Sequence, residues 1–118
     1  MDDLLRLERK SGILTEYQDT VGKYAQASVS ENTQRAYRFA WERFTRWCLE
    51  RNVSPLPASP EALCAYLAGM ADEGCALSSI EQALAAINKA YELKGLSSPS
   101  REPAVGTVMQ GIRRTLGH

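Results

Sequence analysis

The stretch SENTQRAYRFAWERFTRWCLER, residues 30–51, constrains the fold more than any other part of the chain. On a wheel of about 100° per residue, Ala36, Tyr37, Ala40, Trp41, Phe44, Trp47 and Cys48 fall in one arc. Gln34, Arg35, Arg38, Glu42, Arg43 and Arg46 fill the other. A helix with so much aromatic surface on one side has to be covered by other amphipathic elements. Phe39 is the exception, an aromatic residue that projects among the arginines. Ser30 stands where an N-cap belongs, its hydroxyl able to accept from a free backbone N–H of the first turn.

The rest of the chain shows the same helical period, with no strand-like alternation and no internal repeat. A first helix is predicted from about residue 2 to residue 27, loosened at Gly12, with residues 1–12 expected to be loosely ordered. Its Leu14, Tyr17, Val21 and Tyr24 form one narrow apolar stripe, expected to pack onto the other helices. Prolines 55, 57 and 60 stiffen the connection that follows the second helix. Ser59 and Pro60 are the N-cap and first-turn pair of a third helix, with Leu63, Tyr66, Leu67 and Met70 inward and Gly74 as its stop. Ser78 to Glu81 has the spacing of a capping box. It opens a fourth helix whose Ile80, Leu84, Ile87 and Tyr91 point inward, and Gly95-Leu96 reads as its glycine cap. Pro103 starts a fifth helix bearing Val105, Val108, Met109, Ile112 and Leu116. Gly106 and Gly111 each weaken that helix by about 1 kcal/mol relative to alanine. These elements predict one all-α domain over residues 1–118. Its centre is Tyr37, Trp41, Phe44, Leu63, Leu67, Leu84, Ile87 and Tyr91, buried together.

A chain of 118 residues can bury a core without disulfides or metal. No apolar run approaches the roughly 18 to 20 residues of a membrane span, and MDDLLRLERK has none of the apolar character of a signal peptide. Cys48, Cys64 and Cys75 have no metal-type spacing and read as reduced thiols of a cytoplasmic protein. The only histidine is His118, so no Ser-His-Asp, Cys-His or histidine–metal constellation can be assembled. No glycine-rich phosphate loop follows a strand. Neither catalysis nor a metal, cofactor or small-molecule ligand is expected of this chain.

The surface is more informative. Net charge is zero, yet residues 30–51 hold five arginines against three glutamates, and residues 101–118 three arginines against one glutamate. Between them, residues 52–76 hold three acidic residues and no basic one, so a fold that joins the two basic segments would create a basic face. The turn SENTQR offers backbone N–H groups, hydroxyls, amides and Arg35, a set that suits a phosphate and the base edges beside it. The competing reading is that Arg38, Glu42 and Arg46 form ordinary surface pairs worth a few tenths of a kcal/mol. On the fourth helix, the face with Ser78, Gln82, Ala85, Ala86 and Lys89 is small and lightly polar. Such a face fits a DNA major groove, where glutamine can pair bidentately with adenine and alanine can touch a thymine methyl. It fits equally a covering helix or subunit.

Taken in order, SENTQRAYRFAWERFTRWC, LPASPEALCAYLAGMADEG, SSIEQALAAINKAYELKGL and SPSREPAVGTVMQGIRR resemble the N-terminal core-binding domain of the tyrosine recombinases, the phage integrase family, and its Cre-like members in particular. The resemblance spans about residues 28–116. It rests on the S-x-x-T opening, the W-C that ends the second helix, the proline-rich loop before SPE and the VM-x-x-I-R of the last helix. It implies a SAM-like orthogonal bundle of five helices, one half of a clamp around DNA, with the second and fourth helices crossing in the major groove. The positions it implies for DNA contact are Thr33, Gln34, Arg35 and Ala36 on the second helix, to which the charge pattern adds Arg38. On the fourth they are Ser78, Ser79, Gln82, Ala83 and Ala86, and on the last Arg113; the surface reading itself adds Lys89 and Arg114. Ala36, Ser78 and Ala83 are smaller than the Cre-like pattern, which implies a different target sequence. The implied partners are a double-stranded recombination site and neighbouring recombinase protomers, met through the first and fifth helices, in the cytoplasm of a bacterium or from a phage. The family's nucleophilic tyrosine and its arginine, lysine and histidine-type partners lie in a separate C-terminal domain, and none of Tyr17, Tyr24, Tyr37, Tyr66 or Tyr91 matches the nucleophile's motif. The expectation is a piece of a recombinase that binds without cutting. A free-standing regulator and a helical protein-interaction module are the other readings.

Overall fold

The computed structural model describes residues 16–117. The expectations for a helix from residue 2, a break at Gly12, a stripe beginning at Leu14 and loose order over residues 1–12 lie outside the described residues, as does His118. The described residues form five α-helices and one 3-10 turn, without a strand. In chain order these are α1 (Gln18–Ala27), α2 (Glu31–Glu50), α3 (Pro60–Asp72), α4 (Leu77–Leu93), a turn at Pro99–Arg101 and α5 (Pro103–Leu116). The fold is all-α, as the helical period requires.

Local chemistry places most of the boundaries. The Ser30 hydroxyl accepts from the Thr33 N–H at 3.2 Å and the Ser59 hydroxyl from the Ala62 N–H at 3.1 Å. Pro60 and Pro103 occupy first turns, where a missing N–H removes no helical bond. α2, α3 and α4 end alike. Asn52, Gly74 and Gly95 adopt left-handed backbone with φ of 58°, 91° and 70°. The following N–H groups of Val53, Cys75 and Leu96 then return to the carbonyls of Cys48, Met70 and Tyr91 at 3.0, 3.0 and 2.9 Å. Asparagine is one of the few side chains that tolerate this conformation, so Asn52 closes α2 before the prolines are reached.

α4 opens differently from the expectation. Its N-cap is Ala76, which has no side chain to cap with, and Ser78 and Glu81 do not form a capping box. Glu81 is engaged elsewhere: Arg113 of α5 donates to its two oxygens from Nε and Nη2 at 2.7 and 2.9 Å. A bidentate ion pair outcompetes one hydrogen bond to a backbone amide.

The core lies where α2 packs along α4 and α3 packs along α5. Phe44, Leu63, Leu67, Ile80 and Ile87 have no exposed surface, and Tyr91, Val105 and Met109 are 1% exposed. Tyr37, Trp41 and Leu84, expected at the centre, are half-buried at its margin. Trp41 still meets Tyr91 edge-on, with ring centroids 6.1 Å apart. The Tyr91 hydroxyl donates to the Pro55 carbonyl at 2.9 Å and accepts from the Ala58 N–H at 2.7 Å, which fastens the proline-rich loop to α4. The segment before α5 is held similarly, with the Ser98 and Ser100 hydroxyls donating to Asn88 Oδ1 at 2.7 and 2.6 Å. Cys48, Cys64 and Cys75 are free thiols, and burial pushes Cys48 and Cys64 above the usual thiol range.

The apolar stripe of α1 does not pack inward. Tyr17, Val21 and Tyr24 are 54%, 54% and 66% exposed. α1 lies against α4 through its smaller side instead, where a Cβ on Gly22 would stand 3.5 Å from the Leu93 carbonyl. Glycine and alanine let the helices approach more closely than the tyrosines would.

Candidate nucleic-acid interface

The α2–α4 crossing organises most of the surface residues that the sequence singled out. Ala83 and Ala86 of α4 are 4% and 1% exposed. Ala83 shares a lining with Ala36 and Ala40, and Ala86 with Tyr37 and Trp41, which puts both alanines at the seam with α2. The expectation that Ala86 and Ala83 face a DNA groove is therefore corrected. They are small because α2 lies across them, the covering-helix alternative for that part of the face. Ser78, Ser79 and Gln82, nearer the start of α4, remain exposed.

On one side of the crossing is a shallow notch of about 140 Å³. Phe39 and Arg43 of α2 form one rim, and Ser79 and Gln82 of α4 form the other. Ala36, Ala40 and Ala83 contribute the floor, with Tyr66 and Met70 of α3 at the end. No carboxylate lines the notch. Neither Phe39 nor Arg43 was assigned to the site from the sequence. Their signal was present on the wheel, because they follow Ala36 at positions +3 and +7 on one helical face.

On the opposite side the polar groups are already in use. Gln34 Nε2 donates to the carbonyls of Gln26 and Val29 at 3.0 and 3.1 Å. Lys89, whose side chain is only 15% exposed, donates to the Ser28 hydroxyl at 3.2 Å and pairs with Glu92 at 3.5 Å. Both residues brace α1 against α2 and α4 and line a cavity of about 180 Å³ together with Tyr37, Arg38, Trp41 and Ala86. Gln34 and Lys89 thus have internal partners instead of the free donors expected for DNA contact. The first turn of α2 is partly committed as well. The Ser30 hydroxyl caps the Thr33 N–H and donates to the Thr33 hydroxyl at 2.8 Å. Arg35 is hydrogen-bonded to Asn32 and 3.5 Å from Glu31.

At the end of α5, Arg114 is exposed while Arg113 is paired with Glu81. The Arg113 hydrogen bonds hold the Glu81 carboxyl below the usual carboxylate range, and the same bonds raise Arg113 above its ordinary value. Among the described residues no ion pair engages Arg38, Arg43, Arg46 or Arg114, which leaves these four cations for an external anion. Among the same residues no group of acidic, cysteine or histidine side chains is placed to hold a metal. No helix there is long and apolar enough to cross a membrane.

No protein-family model matches the chain. Two curated relatives do. The "Integrase/recombinase xerD homolog" of Selenomonas ruminantium is 33% identical over 93 residues, covering 76% of this chain and 27% of that protein. The "Recombinase cre" of Escherichia phage P1 is 33% identical over 87 residues, covering 74% of this chain and 25% of that protein. The chain thus spans about a quarter of the length of the curated relatives it matches. Two recombinases each align with about three quarters of this chain, whose described residues are all helical, and both findings are consistent with a tyrosine recombinase domain.

Proposed function

We propose that this chain is the DNA-gripping half of a site-specific recombinase. It holds the duplex of a recombination site by laying the notched side of the α2–α4 crossing into the major groove. The observation that carries this reading is the convergence of Ser79, Gln82, Phe39 and Arg43 around one carboxylate-free notch. Arg38 and Arg46, which have no ion pair among the described residues, lie on the same helix as two of them. An amide and a hydroxyl suit base edges, and the surrounding cations suit phosphates. Ser78, Ser79 and Gln82 would read bases, while Arg38, Arg43 and Arg114 would hold the backbone. Thr33, Arg35 and Ala36 would sit at the entry of α2, and Arg113 would reach a phosphate only by leaving Glu81. Strand cleavage is not assigned to these residues; the chain binds and a catalytic half cuts.

Neighbouring protomers fit the same picture. The exposed Tyr17, Val21 and Tyr24 stripe on α1 is an unpaired apolar face of the kind that meets another protein. That stripe is also the one observation that favours the second reading, a protein-interaction module without DNA. Titration of the chain against duplex DNA at several salt concentrations separates the two. The duplex reading expects log K to fall by about 0.9 for each phosphate neutralised per tenfold rise in salt. Gln82→Ala should then relax preference at one base pair by about 1 to 3 kcal/mol while leaving non-specific binding nearly unchanged. Salt-independent binding, or none, would remove DNA and leave the protein-contact reading.

A further inference from the structure

Phe39 is 62% exposed on an arc that is otherwise polar. Its helical neighbours Arg35, Glu42 and Arg43 are exposed too, so nothing on α2 shelters the ring. Across the notch it faces Ser79 and Gln82 of α4. An apolar partner protein would have to bury Arg43 beside the ring, and no carboxylate lines the notch itself; Glu42 stands outside it on α2, and Glu50 and Glu73 line the neighbouring pocket that Arg43 also borders. A polyanion with one apolar feature suits the arrangement better. In the major groove that feature is the C5 methyl of thymine, which offers a phenylalanine its one apolar contact on a base edge.

We propose that Phe39 is a specificity-determining residue that packs its ring against a thymine methyl next to the base read by Gln82. The inference rests on the duplex-binding reading above and adds to it the identity of one base. The amide of Gln82 selects adenine and the ring of Phe39 selects thymine, so the notch reads an A·T-containing step and not merely the shape of the duplex. The notch volume of about 140 Å³ accommodates a methyl group and the base edge that carries it.

The test uses selection from a randomised duplex pool at low salt, followed by thymine-to-uracil replacement at each enriched position. Uracil lacks only the methyl group. Wild type should lose affinity about fourfold at a single position, the worth of one buried methyl group. Phe39→Ser should be indifferent to that replacement, and Phe39→Leu should keep part of the preference. Because the ring is mostly exposed, the thermal midpoint should be the same in all three proteins. If wild type binds duplex in a salt-dependent way but treats thymine and uracil alike at every position, the inference about Phe39 is wrong while the duplex reading stands. If Phe39→Ser discriminates as well as wild type, the methyl is read by another residue and the inference again fails. If no protein binds duplex, the reading beneath it fails and takes the inference with it.

Discussion

The two sides of the α2–α4 crossing are made from the same kinds of residue and come to different ends. On the notched side, Arg43, Ser79 and Gln82 face solvent around an apolar floor. On the other, Gln34 and Lys89 are bonded to the end of α1 and the connection that follows it, through Gln26, Ser28 and Val29. The cause is the path of the chain. α1 returns past one side and brings carbonyls and a hydroxyl that an amide and an ammonium can satisfy. α3 meets the other at one end of the notch, through Tyr66 and Met70, and leaves its rim exposed. Whether a polar side chain on a helix is a strut or a probe is thus decided by what else the backbone brings near it.

The largest way to break this comparison is to remove what both sides stand on. Phe44 is fully buried on α2, 5.7 Å from Trp41 and 5.0 Å from Tyr66, ring centroid to ring centroid. Phe44→Ala should cost about 3 to 5 kcal/mol and collapse the thermal unfolding midpoint. An unchanged midpoint would mean that the two faces do not share a support. A subtler change tells them apart. Arg43→Gln should lower the salt slope of duplex binding by about 0.9, one phosphate, whereas Lys89→Gln should leave the slope alone and lower thermal stability. Equal effects on the slope would show that the internal bonds of Lys89 open on binding.

The smallest expected effect concerns the Glu81–Arg113 pair that joins α4 to α5. Its side chains are 40% and 47% exposed, so solvent screens it and its contribution stays within about 1 kcal/mol. Arg113 depresses the folded-state value of Glu81. The contribution is therefore complete above the unfolded carboxylate value of roughly 4.3 and is lost as pH falls through the lower folded value. Wild type should melt slightly above Glu81→Gln at neutral pH, and the difference should vanish on acidification into that range. A difference that persists in acid would assign it to packing and not to the ion pair.

Much of the fold could be read from short stretches, because its signals are local. Ser30, Ser59, Pro60, Gly74, Gly95 and Pro103 each act within one turn of chain, and each lies where its chemistry predicts. Most of the errors involve partners distant in sequence. Glu81 looked like the fourth member of a capping box until Arg113, from another helix, took it. Ala86 looked like a groove-facing residue because a wheel shows that a face is small, not that α2 crosses it. The stripe of Tyr17, Val21 and Tyr24 has the right period for packing, yet a glycine-containing side of the same helix allows a closer fit. Gln82 was legible as a candidate from its position and chemistry. Its meeting with Phe39 and Arg43 was not, since it depends on the angle at which two helices cross.

The bond between the Tyr91 hydroxyl and the proline-rich loop changes how that loop should behave in time. A connection between helices ordinarily exchanges its amide hydrogens with water quickly, because it opens without disturbing the core. Here the Ala58 N–H donates to a phenol whose ring is 1% exposed. Freeing that amide requires either a break at the loop or the withdrawal of Tyr91 from among the buried residues of α2 and α4. The Ala58 amide hydrogen should then persist in heavy water about as long as those at the centre of α4, a slow proton in the middle of a loop. In that sense the loop belongs to the same cooperative unit as the helices it joins.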